Sequence, residues 1–383
     1  MNFRQQDFLR RFPGSTQHFG RESSLWQKMH LDPILLFGLL CLTAFGLAVL
    51  YSASGQHEGF IKRQSVFFVI AYVAMILCAQ VNLQVLRRWA PWMYIGGIVL
   101  LVLVLVIGVG AKGAQRWISL GFFRFQPSEV LKIAVPLIVA SYFSSTRLPP
   151  KFRHILIALV IIGLPAGLIF KQPDLGTAIL IFTSGLIVLF LAGLRWRYIL
   201  GTVLIIILSA WPMWNYMMKD YQKQRVLTLL DPEVDKLGAG WNIIQSKTAI
   251  GSGGVHGKGW LNGTQSQLDF LPESHTDFII AVLAEEFGLI GVLTLLGLYM
   301  FIIWRGLFIA LTAKNTFNRL FAGSITLTFF VYVFVNVGMV AGMLPVVGVP
   351  LPLVSLGGTS IVTLMTGFGF LMAIATDKKK SSI

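Results

Sequence analysis

Charge is what this sequence lacks. Asp, Glu, Lys and Arg make up only 12% of its 383 residues, about half the ~25% of a soluble domain. So little polar surface cannot cover a water-exposed globule of this size, which excludes an ordinary soluble enzyme or binding module. Cysteine is nearly absent too. Cys41 and Cys78 are the only two, and both fall inside apolar runs. That excludes a disulfide framework and a thiolate metal site, and leaves them as small packing residues. Acidic residues number 16 against 31 Lys and Arg, for a net charge of +15. The excess does not make a nucleic-acid binder, because the basic residues form no patch. They are spread through short loops between apolar runs, as membrane orientation signals are. No internal repeat, low-complexity tract or cleavable signal peptide is visible. The first apolar run, near Leu31, is too long for a signal sequence and reads as a retained span.

What is present is hydrophobic residue, 55% of the chain, in runs of roughly 18 or more, long enough to cross a bilayer. Spans are predicted at about 32–52, 64–82, 90–110, 127–145, 154–171, 175–194, 197–215, 278–304, 317–343 and 352–375. They should be helices, since backbone polar groups in hydrocarbon must be satisfied within the segment. The expected fold is therefore an all-α polytopic membrane protein of about ten transmembrane helices. A polar N-terminal tail over 1–31 and a basic tail over 377–383 flank the membrane domain, 32–376.

An even number of spans puts both termini on one side. That side carries Arg4, Arg10, Arg11, Arg21, Lys28, Arg87, Arg88, Arg147, Lys151, Arg153, Arg195, Arg197, Arg305, Lys314, Arg319 and Lys378 to Lys380. The short loops opposite hold Lys62, Arg63, Lys112, Arg116, Arg124 and Lys171. A ratio of about three to one predicts cytoplasmic termini. Acids show the reverse bias, with Glu58, Asp174, Asp220, Asp231, Asp269, Glu273 and Asp277 outside. One external loop, about 216–277, is far longer than the rest, and long loops are commonly functional. Within it, 240–250 is predicted as a short amphipathic helix with Trp241, Ile244 and Thr248 on one face.

Four groups of residues could carry chemistry. Where the long loop enters the eighth span, Glu273, His275 and Asp277 crowd together. Asp277 is either a helix N-cap or a base at the outer membrane surface, where partial burial would raise its basicity. In Gln126-Pro127-Ser128-Glu129-Val130-Leu131-Lys132, Glu129 and Lys132 share a helix face. They form either a self-contained ion pair or the lining of a polar cavity that meets an anion. The Gly-rich loop 110–117 places Arg116 at the same surface, as a phosphate ligand or a lipid-headgroup contact. Glu285 and Glu286, about two turns into the eighth span, read as structural polar contacts. The stretch 251–259 resembles a phosphate loop but has Ser252 at a required Gly position and no Ser or Thr after Lys258, so it is not one. His256 and His275 have no metal-ligand spacing, and no nucleophile elbow is present.

Five stretches carry a resemblance to the SEDS family, the RodA and FtsW group. They are Tyr51-Ser52-Ala53-Ser54; Arg116-Trp117 with Phe125 to Lys132; Pro173-Asp174-Leu175-Gly176-Thr177; Gly257-Lys258-Gly259-Trp260 through Asp277-Phe278; and Asn336 to Ser360. They cover nearly the whole chain in order, and Gly263 to Leu268 leans towards the RodA branch. The resemblance implies an inverting peptidoglycan glycosyltransferase of the bacterial inner membrane. Such enzymes polymerise lipid II, a disaccharide-peptide on undecaprenyl pyrophosphate, during elongation and rod-shape maintenance. They work with a class B penicillin-binding protein. The family's essential carboxylate matches Asp277, and its supporting charged residues match Glu129, Lys132 and Arg116. Lys258 and His275, in the matched fourth stretch, complete the expected substrate-binding set. No cofactor is required; a divalent cation, magnesium or manganese, could share the pyrophosphate's charge. Two other readings stay open: a lipid II flippase, and a non-catalytic scaffold for the penicillin-binding protein.

Overall fold

The computed structural model describes residues 29–111, 114–119, 124–218, 220–231, 239–267 and 274–377. The tail through residue 28, the tail from 378, Lys112 and Glu273 lie outside the described residues.

Helix starts follow local chemistry. Helix α1 (Pro33–Ala53) begins with Pro at its first position and Asp32 as N-cap, whose carboxylate accepts from Leu35 N–H at 2.9 Å. Proline suits that position because its missing N–H would be unpaired there anyway. Helix α2 is Glu58–Ala79. Helix α3 (Leu83–Ile107) is capped by the Asn82 side chain. Three short antiparallel strands follow: β1 (Val109–Ala111), β2 (Ala114–Ser119) and β3 (Arg124–Phe125), in the order β1-β2-β3. Then come α4 (Pro127–Ser144), α5 (Phe152–Lys171), α6 (Leu175–Leu191) and α7 (Trp196–Pro212), the last running into a π turn at Met213–Met217. The long loop holds α8 (Asp220–Leu230), α9 (Ala239–Gly253) and the single turn α10 (Thr264–Gln267). Helices α11 (Ile279–Thr312), α12 (Thr316–Val340) and α13 (Thr359–Thr376) complete the bundle.

The bundle is organised for lipid. On α2, the large apolar residues Val66, Val69, Val73 and Leu77 are 58%, 64%, 52% and 64% exposed. They recur at helical spacing on the outward face, an arrangement that water would not tolerate and hydrocarbon favours. The inward faces pack aromatics. Phe329 and Phe368 meet edge to face at 5.0 Å, and Tyr299 lies 5.7 Å from Phe329. Helix α13 packs along α2, α11 against α1 and α12, α3 against α4, and α5 against α6.

All ten predicted stretches coincide in position with helices. Among the described residues, seven helices are long and apolar enough to cross a membrane, and Leu175–Leu191 is a shorter apolar one. The count of ten stays an expectation from the sequence. Three details differ from it. First, the loop after α3 forms a small β-sheet. Second, the last span begins at Thr359, not 352. Residues 352–358 are buried or half-buried but not helical, because Pro352, Gly357 and Gly358 break the helix while Leu353 and Val354 still pack inside; hydropathy reads burial and cannot separate the two. Third, α9 buries the face of Ile243, Ser246 and Ala249, with Thr248 exposed. It packs on helix α11, and Gly253 comes close enough that a Cβ would stand 1.9 Å from the Ala284 carbonyl oxygen.

Candidate active site

At the end of the bundle that carries the β-sheet and the long loop, helix starts converge on a cavity of about 290 Å³. Its charged lining comes from three elements: Arg116 on β2, Glu129 and Lys132 in the first turns of α4, and Asp174 at the start of α6. Tyr332 of α12 and the non-helical segment around Gly348–Gly358 close the wall.

Lys132 Nζ donates to Glu129 Oε1 at 2.7 Å, with both side chains largely buried, and lies 5.4 Å from the centre of the Tyr332 ring. The ammonium is thus held between a carboxylate and a π face. Glu129 Oε2 has no hydrogen-bond partner among the described residues. Arg116 donates through Nη2 to the Pro173 carbonyl at 2.6 Å, and its Nη1 lies 3.6 Å from Asp174 Oδ2. Its Nε is unpaired among the described residues, and about a third of the side chain, 34%, is exposed. Asp174 also caps α6, accepting from Thr177 N–H at 3.2 Å, and receives Gln126 Nε2 at 3.4 Å.

Asp277 stands beside this cavity. Gly348 lines it, and a Cβ built on Gly348 would lie 3.6 Å from Asp277 Oδ2. The N-cap of α11 is Phe278, one residue further on, so Asp277 sits just outside the helix. A polar network fixes it. Asn336 Nδ2 donates to the Asp277 carbonyl at 2.9 Å and to the Val349 carbonyl at 2.8 Å. Ser355 Oγ donates to the Thr276 carbonyl, and Leu356 N–H to the His275 carbonyl at 2.9 Å. Gln64 on α2 grips the same segment, donating to the Ser355 carbonyl and accepting from Gly357 N–H, both at 3.1 Å. Gly176 permits the segment's approach to α6, since a Cβ there would be 2.8 Å from the Val347 carbonyl.

The structure therefore gathers Arg116, Glu129 and Lys132 in one cavity with Asp277 at its rim. It does not bring Lys258 or His275 into the lining. Lys258 donates to Glu285 Oε1 at 2.7 Å and to Thr264 Oγ1 at 2.8 Å, and the His275 ring lies 5.2 Å from Phe60. Sequence reading passed over Asp174 and Tyr332 as site residues. Asp174 carried a signal, an acid at a helix start within a matched stretch; a tyrosine inside an apolar run carried none. No cluster of three or more His, Cys, Asp or Glu that could hold a metal occurs among the described residues, and no step is routed through a metal ion.

The chain belongs to the FtsW/RodA/SpoVE family of cell cycle proteins, whose model matches residues 29–380, and it is a multi-pass, mostly helical membrane protein. Among its relatives is Peptidoglycan glycosyltransferase MrdB of Escherichia coli K12, 55% identical over 362 residues, which are 94% of this chain and 98% of that protein. A probable peptidoglycan glycosyltransferase FtsW of Trichlorobacter lovleyi is 38% identical over 91% of this chain and 94% of its own. One chain of a solved peptidoglycan synthase complex, which coordinates polymerization and crosslinking, superposes with a TM-score of 0.81 at 31% identity, over 91% of this chain and 98% of that one. The Rod shape determining protein RodA of Thermus thermophilus superposes with a TM-score of 0.69 at 28% identity over the same shares.

Proposed function

We infer that this chain is a peptidoglycan glycosyltransferase serving cell elongation and rod shape, and that it polymerises lipid II at the outer face of the cytoplasmic membrane with both termini inside. The observation that carries the reading is the cavity in which Arg116 and Lys132 stand beside the carboxylate of Asp277 across Gly348. In this reading Asp277 takes the proton from the acceptor sugar hydroxyl. The hydroxyl oxygen bonds to the donor's anomeric carbon as the bond from that carbon to the pyrophosphate oxygen breaks. Undecaprenyl pyrophosphate leaves, and one displacement turns an α linkage into a β linkage. A pyrophosphate is already a good leaving group, so no strong acid is needed.

The two cations are each matched by a carboxylate, Lys132 by Glu129 and Arg116 by Asp174. The site is therefore not a bare positive patch. It offers spare donors instead: Lys132 has N–H bonds beyond the one it gives Glu129, and about a third of the Arg116 side chain, 34%, is exposed. Donors already aimed at the departing oxygens stabilise developing charge without reorganisation. A class B penicillin-binding protein is the partner this reading assigns, since strands made here need crosslinking.

The test supplies labelled lipid II to the purified full chain, alone and with that partner. Asp277→Asn should cut polymer by about 10²–10⁴, the scale of a lost general base. A folded Asn variant that polymerises at the wild-type rate would overturn the role given to Asp277, and vesicle scrambling of lipid II without polymer would overturn the enzymatic reading.

A further inference from the structure

A second and larger cavity, about 1190 Å³, lies at the opposite end of the bundle, between the ends of α2, α4 and α13 and the starts of α3 and α12. It shares no residue with the site above. Arg87, Arg88 and Lys314 line it, and its one carboxylate among the described residues, Asp377, is already engaged, 2.9 Å from Lys314 Nζ and 3.3 Å from Asn318 Nδ2. Arg87 is held in place. Its Nη2 donates to Ser145 Oγ at 2.7 Å and its guanidinium lies 6.0 Å from the Phe317 ring centre, which leaves most of its five donors unused among the described residues. The start of α12 opens on the same space, and its N-cap residue Asn315 makes no side-chain capping bond. Helix N-termini attract anions through their exposed N–H groups.

The outer face of α3 indicates where such an anion comes from. Val85, Trp89 and Trp92 are exposed at helical spacing beside the two arginines, Trp89 by 60% and Trp92 by 68%. Tryptophans on a lipid-facing surface sit at headgroup level, which places Arg87 and Arg88 at the depth of lipid phosphates with an apolar track leading away for acyl chains.

We propose that this cavity is a binding site for an anionic glycerophospholipid, its phosphate held by Arg87, Arg88 and the start of α12. Basic pockets between membrane helices at the positive end suit such headgroups. The phosphate chemistry is shared with free phosphate; the track on α3 selects the lipid.

The experiment titrates the full-length protein in neutral detergent with phosphatidylglycerol, phosphatidylcholine or inorganic phosphate, and reads retained lipid by native mass spectrometry and thermal stabilisation. Phosphatidylglycerol should bind about tenfold more tightly than phosphatidylcholine, and Arg87→Gln/Arg88→Gln should remove that preference, two cations being lost. The single variant Arg88→Gln, an exposed position, should weaken binding several-fold with folding intact, and Lys151→Gln/Arg153→Gln, outside the cavity, should leave it unchanged. Equal affinity for the two lipids, an unchanged preference in the arginine variants, or full stabilisation by inorganic phosphate alone would overturn the proposal.

Discussion

The carboxylate of Asp277 lies against Gly348, a residue held at φ +72° where a Cβ would come to 3.6 Å of Oδ2. That distance is ordinary contact, so Gly348→Ala creates no clash with the acid. Its cost is in the backbone, about 1–2 kcal/mol for a side chain in the left-handed region. The expected result is a folded protein with a modestly lower unfolding midpoint and polymerisation slowed roughly tenfold or more, because a small displacement near reacting groups is expensive. Loss of stability with no loss of polymer would show that the wall beside Asp277 takes no part in the chemistry.

Glu129 and Lys132 are tied in a mostly buried pair, and breaking it should cost more than deleting it. Glu129→Gln or Lys132→Met alone leaves one charge uncompensated, which typically costs about 3–5 kcal/mol. The double variant Glu129→Leu/Lys132→Met should regain most of that stability while staying inactive. Thermal unfolding and lipid II polymerisation on the same preparations separate the two effects. A double variant that polymerises would reduce the pair to a structural role.

Much of this architecture was legible beforehand because lipid makes hydropathy a direct report on position. Apolar length placed the helices. Glu129 and Lys132 were legible as a pair because i, i+3 spacing puts them on one face. What the sequence could not convey were tertiary neighbours. Hydropathy does not distinguish the buried non-helical Leu353 and Val354 from the start of a span. Nothing places Tyr332 over Lys132, or tells that Lys258 turns towards Glu285 rather than the cavity.

The break in α11 depends on a backbone conformation only glycine accepts. Gly288 has φ 64° and ψ −160°, and a Cβ there would stand 2.4 Å from Gly257 N and 2.5 Å from the Val255 carbonyl oxygen. Around it the loop replaces the lost helical bonds: Lys258 N–H donates to the Glu285 carbonyl at 3.0 Å and Gly259 N–H to the Glu286 carbonyl at 2.9 Å. Gly288→Ala therefore meets both strain, about 1–3 kcal/mol, and backbone that has no room to move. We expect poor yield and a clearly lowered midpoint. Gly297→Ala on the same helix, where a Cβ meets nothing within 4 Å, should be neutral. Equal behaviour of the two variants would mean that the break relaxes freely.

Lys258 separates a structural from a substrate-binding role. Glu285 is 0% exposed; its Oε1 receives Lys258 Nζ at 2.7 Å and both the N–H and the hydroxyl of Thr264 at 2.8 Å. Removing the ammonium leaves a buried carboxylate with neutral donors but no counter-charge, a loss on the order of 3 kcal/mol. Lys258→Met should therefore lower the unfolding midpoint and speed hydrogen exchange over 254–264, and Lys258→Met/Glu285→Gln should restore much of both. A residue that held pyrophosphate would behave differently. Its loss would raise KM for lipid II with stability and exchange unchanged, and the second substitution would rescue nothing. The ion pair to a fully enclosed acid favours the first pattern, in which Lys258 clamps the long loop onto the break in α11.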